Sequence, residues 1–158
     1  MNEAARTEAG EALTELILSL FRANNLTLAW GDMLVAPFGL TSARWQILGA
    51  IVLTDRPQPV AWLARDLGAN RQNVQRIVND LHKEGLVVFE PNPHHRRAQL
   101  VVLTDKGRRA FEAAIAAYNP KVNVLAAGLP LADIKTAQRV VATLRERLQE
   151  EEDVEEHD

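Results

Sequence analysis

The sequence predicts a mainly α-helical fold carrying one small β-hairpin, and three observations predict it. Val60, Leu63, Ala64 and Leu67, then Val74, Ile77, Val78 and Leu81, form two apolar stripes at helical spacing, with only a glycine-containing turn between them. Directly after Gly85 the period changes, and Leu86-Val87-Val88-Phe89 and Leu100-Val101-Val102-Leu103 read as short strands. Longer amphipathic segments occupy both ends of the chain.

Taken in order, Leu13, Ile17, Leu20, Phe21, Asn24, Leu28 and Leu34 fall near the i, i+3, i+4 pattern and predict a first helix over 7–36, which Pro37 and Gly39 break. Thr41 stands at an N-cap position, and Trp45, Ile47, Leu48, Ile51 and Val52 give the apolar face of a second helix. Asp55-Arg56-Pro57-Gln58-Pro59 reads as a turn, with Pro59 at the first position of the next helix. Gly68 closes that short helix. Asn70 caps the following one, which runs to about Glu84 with Gly85 placed to stop it. Two helices joined this tightly form a helix-turn-helix. The hairpin after it, with the basic tip Pro91-Asn92-Pro93-His94-His95-Arg96-Arg97, forms a wing. Thr104 caps a fifth helix beginning near Asp105, and Asn119-Pro120 is expected to kink or end it. After Gly128-Leu129-Pro130, a last helix carries Ile134, Ala137, Val140, Val141, Leu144 and Leu148 on one side. The predicted organisation is an N-terminal helix over 1–36, a winged helix-turn-helix over 37–110, C-terminal helices over 111–149 and an acidic, disordered tail over 150–158.

Composition narrows the function classes. The chain has 158 residues and no cysteine, which excludes a disulfide framework, a thiolate nucleophile and a cysteine-zinc site. No stretch approaches the roughly 18 consecutive apolar residues of a membrane span. Asn2, Glu3 and Arg6 open the chain without an apolar signal core, so the protein is expected in the cytoplasm. The formal net charge of −3 is unevenly spread: residues 56–109 hold ten basic and five acidic side chains, while the remainder holds eight basic and sixteen acidic. A basic middle between acidic ends points to a polyanionic partner.

The order and spacing of these elements resemble the MarR family of winged-helix transcriptional regulators. The resemblance rests on Leu40-Thr41 with Trp45 and Leu48, Leu63-Ala64 with Leu67, Val74, Arg76 and Leu81, and Gly85-Leu86-Val87. It continues through Asn92-Pro93, Arg96-Arg97, Leu103-Thr104 and Lys106-Gly107. It implies a homodimer held by the first helix and the last two, binding a pseudo-palindromic operator in double-stranded DNA. It further implies a repressor released by a small-molecule effector, whose identity the sequence does not give. Two positions depart from the family pattern. The acidic residue usual two positions before the second wing arginine is His95 here, and the often basic residue after Phe89 is Glu90.

An α-helix fits the major groove and reads base edges with its N-terminal half. With Val74, Ile77, Val78 and Leu81 turned inward, the opposite face shows Arg71, Gln72, Asn73, Gln75, Arg76 and Asn79, with no acidic residue from 70 to 79. Asn and Gln match the adenine edge and Arg the guanine edge, so Arg71, Gln72, Asn73, Gln75 and Arg76 are the candidate base contacts. Arg96 and Arg97, with His95, are the candidate wing contacts in the minor groove. Thr41, Arg65 and Lys83 are candidates for phosphate. Trp30, Met33 and Trp45 are candidates for an effector pocket, although Trp45 also falls on a core position.

The adjacent His94 and His95 lack the geometry of a metal set, and no metal or cofactor is expected. A winged-helix interaction module that has lost operator binding is the alternative, supported by His95, Glu90 and the acidic tail. An enzyme is disfavoured, because no phosphate-cradling glycine loop, paired-carboxylate motif or Ser-His-Asp context is present.

Overall fold

Among the described residues the chain forms α1 (Glu8–Val35), a 3-10 turn (Ala36–Phe38), α2 (Ser42–Val52), β1 (Gln58–Pro59) and α3 (Val60–Leu67). There follow α4 (Arg71–Lys83), β2 (Val87–Glu90), β3 (Leu100–Leu103), α5 (Asp105–Ala126) and α6 (Leu131–Glu155). The structure is a computed structural model that describes residues 5–155, with side chains through Glu151. The readings placed on Asn2, Glu3 and the last three residues of the acidic tail lie outside the described residues.

The helix starts follow from the predicted caps. Thr41 Oγ1 accepts from the Arg44 amide at 3.3 Å, and Asn70 Oδ1 accepts from the amides of Gln72 and Asn73 at 2.9 and 3.2 Å. Gly85, at φ 74°, takes the left-handed conformation that ends α4 and turns the chain into β2.

The sheet holds three antiparallel strands in the order β1-β3-β2. Val87 pairs with Leu103 and Phe89 with Val101, as the hairpin predicts, but Gln58 and Pro59 also pair with Val101 and Leu100. The expected plain turn at 55–59 is therefore corrected to a turn followed by an edge strand. Pro59 is the N-cap of α3 rather than its first residue. A two-residue strand shows no alternation, and proline is tolerated there because an edge strand leaves one side unpaired.

Contacts group the chain into two compact units, Met1–Ala117 and Tyr118–Asp158. In the first, Ile47 and Leu48 of α2, Leu63 of α3, Val74, Val78 and Leu81 of α4, Val87 and Val101 form one buried core, joined by Ala114 of α5. Each such leucine or isoleucine contributes on the order of 2 kcal/mol. The second unit comprises the end of α5, the turn at Gly128 and α6.

Of the two outcomes expected at Asn119-Pro120, an end is overturned, since α5 continues through Pro120 to Ala126. Proline forfeits one donor to the carbonyl four residues back. The residues after it are compatible with helix and resume the ladder. Helix α6 likewise runs to Glu155, past the start of the acidic tail. No helix among the described residues is long and apolar enough to cross a membrane.

Candidate nucleic-acid interface

Helix α4 is fixed to the core by one face and clamped at its C-terminal end. Val74, Ile77, Val78 and Leu81 are buried, which turns Arg71, Gln72, Asn73 and Arg76 to solvent. Gln75 is half-buried, a departure from the fully exposed set expected of it, because it follows Val74 at the edge of the stripe. Its Nε2 donates to Asn79 Oδ1 at 3.0 Å. Arg76 Nη2 donates to Asn73 Oδ1 at 2.9 Å, and Asp80 lies beyond it at 3.8 Å. The exposed helix start thus presents amide and guanidinium groups that are partly ordered by one another.

The clamp consists of residues that sequence reasoning did not single out for this task. Arg44 of α2 meets Glu84 in a two-point pair, Nη1 to Oε2 at 3.0 Å and Nη2 to Oε1 at 2.8 Å. Lys106 Nζ donates to the Glu84 carbonyl at 2.6 Å. Thr104 Oγ1 lies 2.7 Å from the Gly85 carbonyl and 3.0 Å from that of Leu86, and accepts from the Gly107 amide at 3.0 Å. Gly107 is buried against the Leu86 carbonyl so closely that no side chain fits. An exposed ion pair adds little stability, so the value of Arg44–Glu84 lies in geometry: it ties the start of α2 to the end of α4. Forty residues separate its partners, and no local pattern links them. Thr104 and Lys106-Gly107 were legible as a motif, though not what they hold.

The wing loop is organised by Asn92. Its Oδ1 accepts from the His94 amide at 3.0 Å and its Nδ2 donates to the Ala98 carbonyl at 2.9 Å, joining the two limbs of the loop. The His95 amide donates to the Asn92 carbonyl at 3.2 Å, and the Ala98 amide to the His95 carbonyl at 3.0 Å. Between these ties His95, Arg96 and Arg97 are exposed. The wing therefore has a brace of its own, although His95 replaces the usual acid.

Thr41 and Lys83 are exposed at the start of α2 and the end of α4, and Arg65 is exposed on α3. The Thr41 hydroxyl oxygen serves as the helix cap, and its proton stays available to an outside acceptor. Of the pocket candidates, Trp30 and Trp45 are half-buried, Trp45 packing against the core, whereas Met33 is 72% exposed on the single chain. Among the described residues no group of three His, Asp or Glu side chains could hold a metal.

The joint between α1 and α2 is a further feature not read from sequence. Buried Ser42 donates its hydroxyl to the Leu28 carbonyl at 2.8 Å, and its amide donates to Asp32 Oδ1 at 2.6 Å. Gly31 faces that hydroxyl with no room for a Cβ. The helix that precedes the winged domain is thereby fixed to the helix that begins it.

With this geometry in hand, the chain matches the model of the MarR family over residues 38–98. Over these residues the chain carries a MarR-family domain. It has the winged-helix fold of MarR-family transcriptional regulators. It is 41% identical over 103 residues to an uncharacterised Mycobacterium tuberculosis protein, Rv2011c, covering 65% of this chain and 71% of that one. It is 32% identical over 107 residues to the transcriptional activatory protein BadR of Rhodopseudomonas palustris, covering 65% of this chain and 59% of that one. In fold it is similar to the M. tuberculosis transcriptional regulator MosR, solved in complex with DNA, with a TM-score of 0.70 and 23% identity over 84% of this chain and 95% of that one.

Proposed function

We propose that this MarR-family protein is a cytoplasmic, sequence-specific regulator of transcription that binds a pseudo-palindromic operator in double-stranded DNA as a homodimer. It acts by binding rather than by catalysis. The observation that carries the reading is the start of α4, where Arg71, Gln72, Asn73 and Arg76 stand exposed on a clamped helix with no acid before Asp80. In this reading those four, with Gln75, contact bases in the major groove. Arg96 and Arg97, with His95, enter the minor groove beside it. Thr41, Arg65 and Lys83 contact phosphates and set the register without reading sequence. The DNA complex of MosR supports this role by likeness of fold.

Exposed apolar side chains support the dimer: Phe21 and Leu26 on α1, and Val140, Val141 and Leu148 on α6. Dimerisation through these faces would relate two α4 helices by a two-fold axis. The finer reading is a repressor released when a small molecule alters the spacing of those helices, with Trp30, Met33 and Trp45 near its site.

Selection from a pool of random duplexes tests this. The expected product is an inverted repeat whose half-site centres lie about one helical turn, roughly 34–36 Å, apart. Recovery of no common sequence would instead favour an interaction module that has lost operator binding.

A further inference from the structure

The Arg76 guanidinium is tied on both sides. One turn before it, Asn73 Oδ1 accepts from Nη2 at 2.9 Å, and one turn after it, Asp80 Oδ2 stands 3.8 Å from Nη1. Arg76 is 68% exposed, whereas Asp80 is a short, half-buried side chain, so the carboxylate is the more fixed of the two. A guanidinium has five N–H donors in a planar fork. Guanine O6 and N7 engage two of them, which leaves donors for both Asn73 and Asp80. These ties are therefore compatible with reading a guanine. They oppose the swing that would carry a long, flexible arginine out to a phosphate.

We infer that Asn73 and Asp80 are positioning residues that commit Arg76 to a guanine edge and withhold it from the DNA backbone. Asp80 then lowers overall affinity and raises sequence discrimination. The inference rests on the DNA-reading role proposed above. Its sign follows from two separate effects. The carboxylate repels phosphates wherever the protein sits, which weakens cognate and non-cognate binding alike. By holding the guanidinium plane, it also reduces the alternative contacts that would reward a wrong base. An exposed pair at this separation contributes little to folding, so the effect is expected on discrimination and not on stability.

The test uses the full chain and single-base-pair variants of its selected duplex, read by fluorescence anisotropy. Arg76→Ala identifies the base pair that Arg76 reads, where a wild-type preference of about tenfold or more should collapse. Asp80→Asn should raise affinity for an unrelated duplex by about threefold or more at low salt, with a steeper salt dependence. At the Arg76-dependent base pair it should reduce discrimination to about threefold or less, with the melting temperature unchanged within about 2 °C. Asp66→Asn makes the same charge change on α3 without touching Arg76, and should leave discrimination intact. Wild-type discrimination retained in Asp80→Asn, or lost equally in Asp66→Asn, overturns the inference alone. A wild-type protein with no base preference overturns the DNA-reading role and this inference with it.

Discussion

Gly107→Ala is expected to destabilise the folded chain by about 2–3 kcal/mol, a fall in melting temperature of roughly 5–10 °C. A methyl group there would collide with the Leu86 carbonyl, a backbone atom that cannot swing aside. The same carbonyl accepts from the Thr104 amide at 3.1 Å and lies 3.0 Å from the Thr104 hydroxyl, so relief of the clash stretches both contacts. It also draws Lys106 away from the end of α4. The gain in helix propensity on replacing glycine, about 1 kcal/mol, offsets only part of this. Gly49→Ala is the matched comparison: its Cβ would meet Phe111 at 3.5 Å, an ordinary contact, and the change should be neutral or stabilising. Chemical denaturation of both variants checks the pair. Equal stabilities would show that the Thr104–Gly107 turn does not hold the end of α4.

Gly31→Ala should cost about 1–2 kcal/mol, for a different reason. The obstructing atom is the hydroxyl of Ser42, which can rotate only by giving up the Leu28 carbonyl in a buried position. Removing that hydroxyl should recover much of the loss. Ser42→Ala added to Gly31→Ala is therefore expected to be more stable than Gly31→Ala alone. The Leu28 carbonyl sits inside α1, where the helix ladder supplies its own donor, so it is not orphaned. A double variant less stable than the single would contradict the close packing of α1 on α2, because independent sites add.

What the sequence made legible is what short-range rules govern. The stripe Val74, Ile77, Val78, Leu81 specifies both that α4 is a helix and which way it faces, so exposure of Arg71, Gln72, Asn73 and Arg76 followed without coordinates. Thr41, Asn70 and Gly85 set their boundaries through local hydrogen bonds or a single dihedral, and each stands where expected. Strand β1 was hidden because two residues carry no period, and because Pro59 reads as a helix start. Of the two outcomes expected at Pro120, the helix end failed because a local breaking rule was overcome by the helix around it.

The contacts that aim the candidate interface were illegible for a different reason. Arg44 with Glu84, Ser42 with Asp32 and Lys106 with the Glu84 carbonyl join residues distant in sequence, and single side chains of common types give no signal of their partners. The wing shows both sides. Its arginines and its position after the helix-turn-helix were plain, and His95 stood out as a missing acid. That Asn92 joins the two limbs instead emerges only from the folded loop.

Whether α4 and the wing read and grip DNA is tested most directly by comparing wild type, Arg76→Ala and Arg97→Ala by fluorescence anisotropy on duplexes selected from the source genome, across a salt titration. The predicted result is selective wild-type binding that weakens steeply with salt. Arg76→Ala should bind more weakly and lose preference at the base pair it reads, worth about 1–3 kcal/mol, while Arg97→Ala should lose affinity more evenly across sequences. Weak binding with no selected sequence, unchanged by either substitution, would contradict a DNA-reading role and favour a protein partner.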